Sequence, residues 1–586
     1  MQSARASQAV LHTLASQTIH PIIATSDRLS WNSLPGLARR SRTVPDPLPI
    51  PHRMSSPAYL LPMPQGTKLP SALEQALHNV ERQFDISTQK LDEITKQMLW
   101  EYGKGLSELP TDETRDTFVP MIPSYLQHIP GGSEKGTYLA LDLGGTNLRV
   151  CEVELLGDSK WRMKQQKYKV SDALKVGEVT ALFDYIAGSV DHFLTEIGTT
   201  ATEDEKLHLG FTFSFPVLQT ALAAGTLINW TKVGYPLFWG AGCRNGGFLL
   251  TSEQTPQGFE CKNAVGKDVV QLLQDALDRK HIHVRCSALV NDTCGTLMAA
   301  AYERGDCLCG GIFGTGTNGA YVESIEKLTK MGYQADELEQ NRKNGLDKMV
   351  VNTEWGAFDN ERITLPFTIF DSRVDRISIN PRKQAFEKMI SGMYLGEVTR
   401  NVLLHLVDSQ VLFKGFSSRA LNAHYGLDTA IMSSLEAPFI PNSGIEADAD
   451  LSEIRQVLTR ELHLSASLID DADCLAAARV SEIVGTRGCR LSACAIAATV
   501  VQTGGDAKEW PDKDKKLIFG LDGSLVEFYP RFEQRVRDAL REILGEEVQQ
   551  RIEIVLAKDG SGVGAALCAQ AAQAMEEKGA ATVTKE

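Results

Sequence analysis

No stretch of the 586 residues approaches the roughly 18 consecutive apolar residues that a membrane-spanning helix needs. The best run, ACAIAATVV at 493–501, is half as long and reads as core. Positive charge is short as well: 60 Lys and Arg against 74 Asp and Glu leave a formal charge of −14. That balance argues against nucleic acid or an anionic membrane as the main partner. The 11 cysteines include no paired C-x-x-C motif, so reduced thiols in a cytosolic setting are expected. Cys307 and Cys309 are two apart, but no further ligands for a metal lie near them in sequence. The Walker A pattern is missing, which removes the P-loop type of nucleotide site.

Lys and Glu are both absent from the first 53 residues, which hold six Arg and only Asp27 and Asp46 as acids. A mitochondrial transit peptide has such a composition, and so does a disordered tail or a segment ahead of a true start at Met54. Pro45, Pro47, Pro49 and Pro51 alternate there, which favours extended linker over helix. Residues 1–71 are therefore expected to be an extra N-terminal tail, and the C-terminal GAATVTKE is expected to fray.

What is present is ordinary for a globular chain: 43% hydrophobic and 23% charged residues, with a length that calls for two or more domains. Leu73, Leu77, Val80 and Phe84, then Leu91, Ile94, Met98 and Leu99, recur at helical spacing. Strand-like runs follow at 137–143, 147–156, 207–215, 284–290, 310–317 and 553–557, with helical patterns between them, notably 387–407. Alternating strands and helices predict an α/β architecture. No fixed-period repeat is visible, yet strand, Gly/Thr turn and strand occur both at LALDLGGTNLRV (139–150) and at GGIFGTGTNGAYVE (310–323).

In the first of these a strand ends on Asp142 and turns at Gly144-Gly145. Glycines let a phosphate reach backbone N–H groups, and Thr146 and Asn147 add donors. Asp142 suits a hydrated Mg²⁺, which needs only one or two carboxylates when phosphates supply the rest. A plain hairpin explains the same residues. The second turn, Gly314-Thr315-Gly316 onward to Gly319, matches G-x-G-x-x-G literally. A dinucleotide fold would need a helix next, whereas AYVESIE continues as strand, so a dehydrogenase is disfavoured. A third Gly-rich turn, Gly560-Ser561-Gly562, leads from a strand into an Ala-rich helix whose N-terminus suits an anion or nucleotide.

Polar residues cluster where strands should end: Ser214, Thr231 and Lys232, Asn291 and Asp292, with Glu354 and Glu387 further on. Singly each reads as an N-cap or solvated turn. Together they equip a site for a polyhydroxylated ligand, because carboxylates and amides pair with hydroxyls and a carboxylate can act as base.

LALDLGGTNLRV, LGFTFSFP, LINWTK, LVNDTCGTLMA, GTGTN, VNTEWGAF, NPRKQAFEKMISGMYLGE and DGSGVGAAL, in that order, resemble the hexokinase/glucokinase family from about Leu73 to the C-terminal helix. Arg382, where many hexokinases carry Gly, places the resemblance nearer the fungal glucokinases. The resemblance implies the two-domain actin-like, ribonuclease-H-like ATPase fold. A large domain would take 72–137 and 292–557 and a small one 138–291 and 558–586, with ATP and sugar meeting in the cleft.

It also implies phosphorylation of glucose or a related hexose at the 6-hydroxyl by ATP and Mg²⁺, opening glycolysis. The enzyme would be a cytoplasmic monomer or homodimer, the tail leaving mitochondrial association open. Asp292 would be the base, with Lys232 holding sugar and offsetting charge. Ser214, Thr231, Asn291, Asn318, Glu354 and Glu387 would hold the sugar hydroxyls. Asp142 with the 142–147 turn, the 314–316 turn, Ser561 with its flanking glycines, and Lys167 would face the metal and nucleotide. A chaperone- or actin-like ATPase would share the phosphate turns but lack the sugar set.

One segment departs from the family pattern. There Thr231-Lys232 should run directly into Gly258-Phe259 and then GKDVVQLL (266–273), but Val233–Gln257 stand between. Those 25 residues, 75 nucleotides in frame, can begin with GT, end with CAG and carry a CTGAC at Leu250-Thr251, the marks of a retained intron. A functional loop is the other reading, since closure entropy grows slowly with length. The segment also keeps open a catalytically impaired sugar sensor or regulator.

Overall fold

Thirteen strands form among the described residues, most of them apolar runs. They are β1 Ile122–Pro123, β2 Lys135–Leu143, β3 Asn147–Gly157, β4 Lys160–Lys169, β5 Leu207–Phe213, β6 Val217–Ala221, β7 Ala224–Leu227, β8 Val284–Val290, β9 Cys307–Phe313, β10 Thr317–Ser324, β11 Lys348–Asn352, β12 Leu517–Asp522 and β13 Ile552–Leu556. The computed structural model describes residues 69–577 apart from 112–113, 115–116, 145–146, 200–201, 203–205, 214, 216, 229, 231–258, 440–449, 507–514 and 558. The expected tail through residue 68, the Val233–Gln257 segment, the C-terminal GAATVTKE and the site candidates Gly145, Thr146, Ser214, Thr231 and Lys232 thus lie outside the described residues, while Ser71, the tail's expected last residue, already opens a helix.

Eleven of the strands make two sheets on one plan. The first runs β4-β3-β2-β5-β8 and the second β1-β11-β10-β9-β12-β13. With β1 set aside, the two orders correspond strand for strand. In each, three antiparallel strands are continued by two parallel ones. Hairpin β2–β3 corresponds to β9–β10, which is the recurrence visible in the sequence; the sheets extend it to a whole half-molecule that shows no sequence period. Parallel β5 and β8 are buried over most of both faces, while edge strand β4, KWRMKQQKYK, alternates and carries lysines that protect an edge.

The equivalent strands β8 and β13 each lead to a helix, Asp292–Arg304 and Gly560–Glu577. These helices cross backbone to backbone. A Cβ on Gly564 would lie 2.1 Å from the Gly295 carbonyl oxygen, and one on Gly295 would lie 2.7 Å from that of Gly560. Only glycine fits such an approach.

A helical layer covers the second sheet. Helices Ser71–Phe84 and Thr88–Ser107 bury the predicted stripe, Leu73 to Met98, against the 32-residue helix Asp471–Gln502. ACAIAATVV is part of that helix and buried along most of its length. Arg487 is fully buried on the same helix and pairs with Asp371 through two bonds of 2.6 and 2.7 Å, so neither charge is left uncompensated.

Two expectations change. The pattern at 387–407 is not one helix but two, Glu387–Ile390 and Gly392–Asp408, with extended Ser391 between them. The break lets the Gly392 and Met393 N–H groups bond the Gly314 and Thr315 carbonyls at 2.8 and 3.1 Å, tying the helix to the Gly-rich turn. The run 310–317 likewise spans two strands, with residues 314–316 as the turn between β9 and β10.

Candidate active site

Two carboxylates meet beside the start of β10. Glu354 follows β11 in a left-handed conformation (φ 54°), a strained choice for a residue with a side chain. Its Oε1 accepts the amides of Asn318 at 2.9 Å and Asn352 at 2.8 Å, and Asn318 also donates to the Asn352 Oδ1 at 2.8 Å. Buried Trp355 fixes the turn behind it, donating from its indole to Thr317 Oγ1 at 2.9 Å and stacking on Phe313. Glu387 comes from a separate segment, held in register by the Ala385 N–H on Asn360 Oδ1 at 3.0 Å. Its Oε2 accepts the Thr317 N–H at 2.9 Å, while its buried Oε1 has no hydrogen-bond partner among the described residues.

Burial pushes the Glu387 carboxyl up to about 7, with the neighbouring Glu354 charge adding to it against the Thr317 N–H. Glu354 is pushed up by desolvation and by the charge of Asp292, against its two amides. Asp292 is thus near enough to this corner to be felt by it. It is the first residue of its helix, directly after β8, with Asn291 as N-cap. The Thr293 N–H reaches both Asn291 Oδ1 (3.0 Å) and Asp292 Oδ1 (2.9 Å). A helix N-terminus favours the ionised carboxylate a base requires.

The second end of the site is organised by one arginine. Asp142 and Leu143 end β2, and the Gly144 N–H closes the hairpin on the Asn147 carbonyl at 2.9 Å. Arg149, two residues into β3, donates to Asp142 Oδ2 at 3.3 Å and to Asp559 Oδ1 at 2.9 Å, and it also bonds Ser561 Oγ. Thr212 at the end of β5 donates to the Ser561 carbonyl at 2.9 Å. The expected turn at Gly560–Gly562 is already the first turn of the helix Gly560–Glu577, and it is fastened to β3 and β5 directly and to β2 through Arg149. Gly314 closes its own turn on the Gly316 carbonyl at 3.0 Å, and Gly316 has no room for a side chain because a Cβ would stand 2.7 Å from Glu387 Oε2.

The structure thus joins Asn318, Glu354 and Glu387 with the 314–316 turn, and Asp142 with Ser561. Lys167 is exposed on β4 as the cross-strand partner of Arg149 and makes no hydrogen bond to the cluster among the described residues. Arg149 and Asp559 escaped the sequence reading although both flank quoted glycines. So did Asp522-Gly523-Ser524 at the end of β12, where Gly523 (φ 113°) leaves no room for a Cβ against the Phe313 carbonyl and the Gly314 N–H. Burial raises the Asp522 carboxyl, and the charge of Asp559 raises it further. The signal was available, since Asp-Gly-Ser occurs at 522–524 and again at 559–561.

Comparison with known proteins gives the family. Two hexokinase family models match, one over residues 308–571 and the other over 76–235 and 247–302. A glucokinase of Aspergillus niger is 38% identical over 541 residues, covering 87% of this chain and 99% of the relative. Glucokinase-1 of Saccharomyces cerevisiae is 36% identical over 527 residues, covering 85% and 97%. Among solved structures, hexokinase from Schistosoma mansoni complexed with glucose shares 33% identity at a TM-score of 0.67, over 85% of this chain and 98% of that one. A second hexokinase crystal structure shares 30% identity at a TM-score of 0.70, over 86% and 100%. The two corresponding sheets are those of the two-domain actin-like ATPase fold. The chain belongs to the hexokinase family of enzymes.

Proposed function

We propose that the chain transfers the γ-phosphoryl group of MgATP to the 6-hydroxyl of a hexose, glucose foremost, giving hexose 6-phosphate and ADP as the first step of glycolysis. The observation that carries this reading is the corner of Glu354 and Glu387. It holds two carboxylates met mainly by neutral donors, with Glu387 Oε1 lacking a partner among the described residues, and so suits hydroxyl donors. Asn291, Asn318, Glu354 and Glu387, with Ser214, Thr231 and Lys232, are assigned to the sugar. Asp292 takes the proton of the attacking hydroxyl on its carboxylate.

Asp142, Leu143, Gly144, Gly145, Thr146, Asn147, Gly314, Thr315, Gly316, Gly560, Ser561 and Gly562, with Lys167 at the rim, are assigned to the nucleotide. No group of three or more His, Cys, Asp or Glu among the described residues could cage a metal. A lone carboxylate such as Asp142 fits a Mg²⁺ that keeps its waters and takes phosphate oxygens. When bound, the ion would neutralise charge on the phosphates in a loose transition state. Residues 72–137 with 292–557 form one lobe and 138–291 with 558–586 the other, closing on sugar to exclude water. No described helix is long and apolar enough to cross a membrane. On the resemblance alone we assign a cytoplasmic monomer or homodimer.

A sugar-sensing role is the second reading. It is favoured by the interruption of the family match at 236–246, within Val233–Gln257. A coupled assay of the purified chain with glucose and MgATP separates the two. Turnover supports the kinase, and glucose binding without turnover supports the sensor.

A further inference from the structure

The loop that delivers Glu387 is wound around a carboxylate that lies outside the site. Asp375 is in the last turn of the helix Ile369–Ile377, with its side chain 7% exposed. The Lys388 ammonium, 3% exposed, donates to its Oδ1 at 2.9 Å and to the Asn380 carbonyl at 2.7 Å. The Arg382 N–H reaches both carboxylate oxygens, at 2.9 and 3.2 Å, and the Arg362 guanidinium pairs with Oδ2. Arg382 and Gln384 are both left-handed (φ 64° and 54°), so the loop is bent against local preference and depends on its anchors.

From these contacts we infer that Asp375 is a positioning residue for hexose binding: through Lys388 and the 380–384 loop it fixes the carboxylate of Glu387. This rests on the assignment of Glu387 to the sugar. Burial alone would raise the Asp375 carboxyl; Lys388, the Arg382 N–H and Arg362 outweigh it and hold the carboxyl below its usual range. Asp375 therefore stays charged wherever the enzyme works, and Lys388, whose pKa burial lowers, keeps its partner. Because Lys388 is the next residue after Glu387, a lost anchor is passed on within one peptide unit.

The test compares glucose and MgATP kinetics of Asp375→Asn, of Asp375→Asn/Lys388→Met and of Glu387→Gln, with thermal unfolding as the control. Asp375→Asn alone strands a buried ammonium and can fail to fold; the double variant removes both charges and keeps the volumes. A displacement of the order of 1 Å can cost roughly a hundredfold in rate. The folded double variant should raise the glucose KM at least about tenfold and leave the MgATP KM within about twofold. On the Glu387→Gln background the same pair of changes should add nothing, because residues acting as one unit are non-additive. A glucose KM unchanged in the folded double variant, or a full additional effect on the Glu387→Gln background, overturns the inference. If Glu387→Gln itself leaves the glucose KM unchanged, the sugar assignment fails instead.

Discussion

Glu354 and Glu387 are held mainly by amides and a backbone N–H; Asp142 and Asp559 are held by a guanidinium. The contrast matches what each end would receive. A hexose brings neutral hydroxyl donors, so its carboxylates need to keep their charge and lone pairs, and neutral donors fix their geometry without cancelling either. A nucleotide brings negative phosphates, which bare carboxylates would repel; Arg149 offsets that repulsion and fastens the helix start that the nucleotide would touch. The charge of Asp292 is felt at Glu354, and Asp292 heads the helix that crosses the Gly560 helix.

If this division holds, removing the Asp292 carboxylate has the largest effect. General base catalysis is worth about 10²–10⁴ in rate. Asp292→Ala should lower kcat by at least that range while calorimetry still detects glucose. A variant within tenfold of the parent would remove Asp292 from the base role.

The next largest effect concerns the chain between Trp230 and Phe259. These rings stack at 5.4 Å, both pack on Phe215, and the Trp230 indole donates to the Cys261 carbonyl at 3.2 Å. The two flanks are thus already joined without the intervening residues. Deleting Val233–Gln257 should leave the melting temperature unchanged or higher and raise kcat/KM for glucose roughly tenfold or more, since Lys232 adjoins the segment and small displacements there are costly. A deletion variant weaker than the full chain would favour a functional loop. Mature messenger RNA that uniformly carries the 75 nucleotides would exclude the intron reading.

A smaller effect separates the ends themselves. Arg149→Met should raise the MgATP KM about tenfold, the scale of a charge-assisted contact, with the glucose KM unchanged. Equal changes in both would mean that Arg149 supports the whole cleft rather than its nucleotide end.

Much of this was legible in the sequence because it is local. The β2–β3 and β9–β10 hairpins announce themselves by apolar strands around Gly-Thr turns, and Asn291-Asp292 by its place between strand and helix. What stayed hidden depends on long-range contacts. Arg149 reads as one more strand residue until Asp559, 410 positions away, comes beside it. Ser391 breaks a good helical pattern only because the Gly314 and Thr315 carbonyls need the N–H groups that the break frees. The correspondence of the two sheets is a matter of strand order, which hydrophobic period does not record.

The mildest test is pH, and it probes the hexose end alone. The folded-state pKa of Glu387, about 7, lies above the ordinary value of 4.5, with burial as the main cause. Two consequences have opposite sign. For stability, the contribution of such a raised group is present below about 4.5 and lost as pH rises through about 7, so acidification through that window stabilises the fold at this position. For binding, the proton gained over the same window costs Glu387 acceptor capacity toward a hydroxyl. The glucose KM should therefore rise by up to about tenfold between pH 8 and pH 6, following the ionised fraction, while the MgATP KM, corrected for phosphate ionisation, stays flat. Glucose binding should also release a proton near pH 7, visible as a buffer-dependent binding enthalpy, and Glu387→Gln should abolish both signals. A glucose KM with the same pH profile in Glu387→Gln would show that another group titrates and that the hexose corner is not built around Glu387.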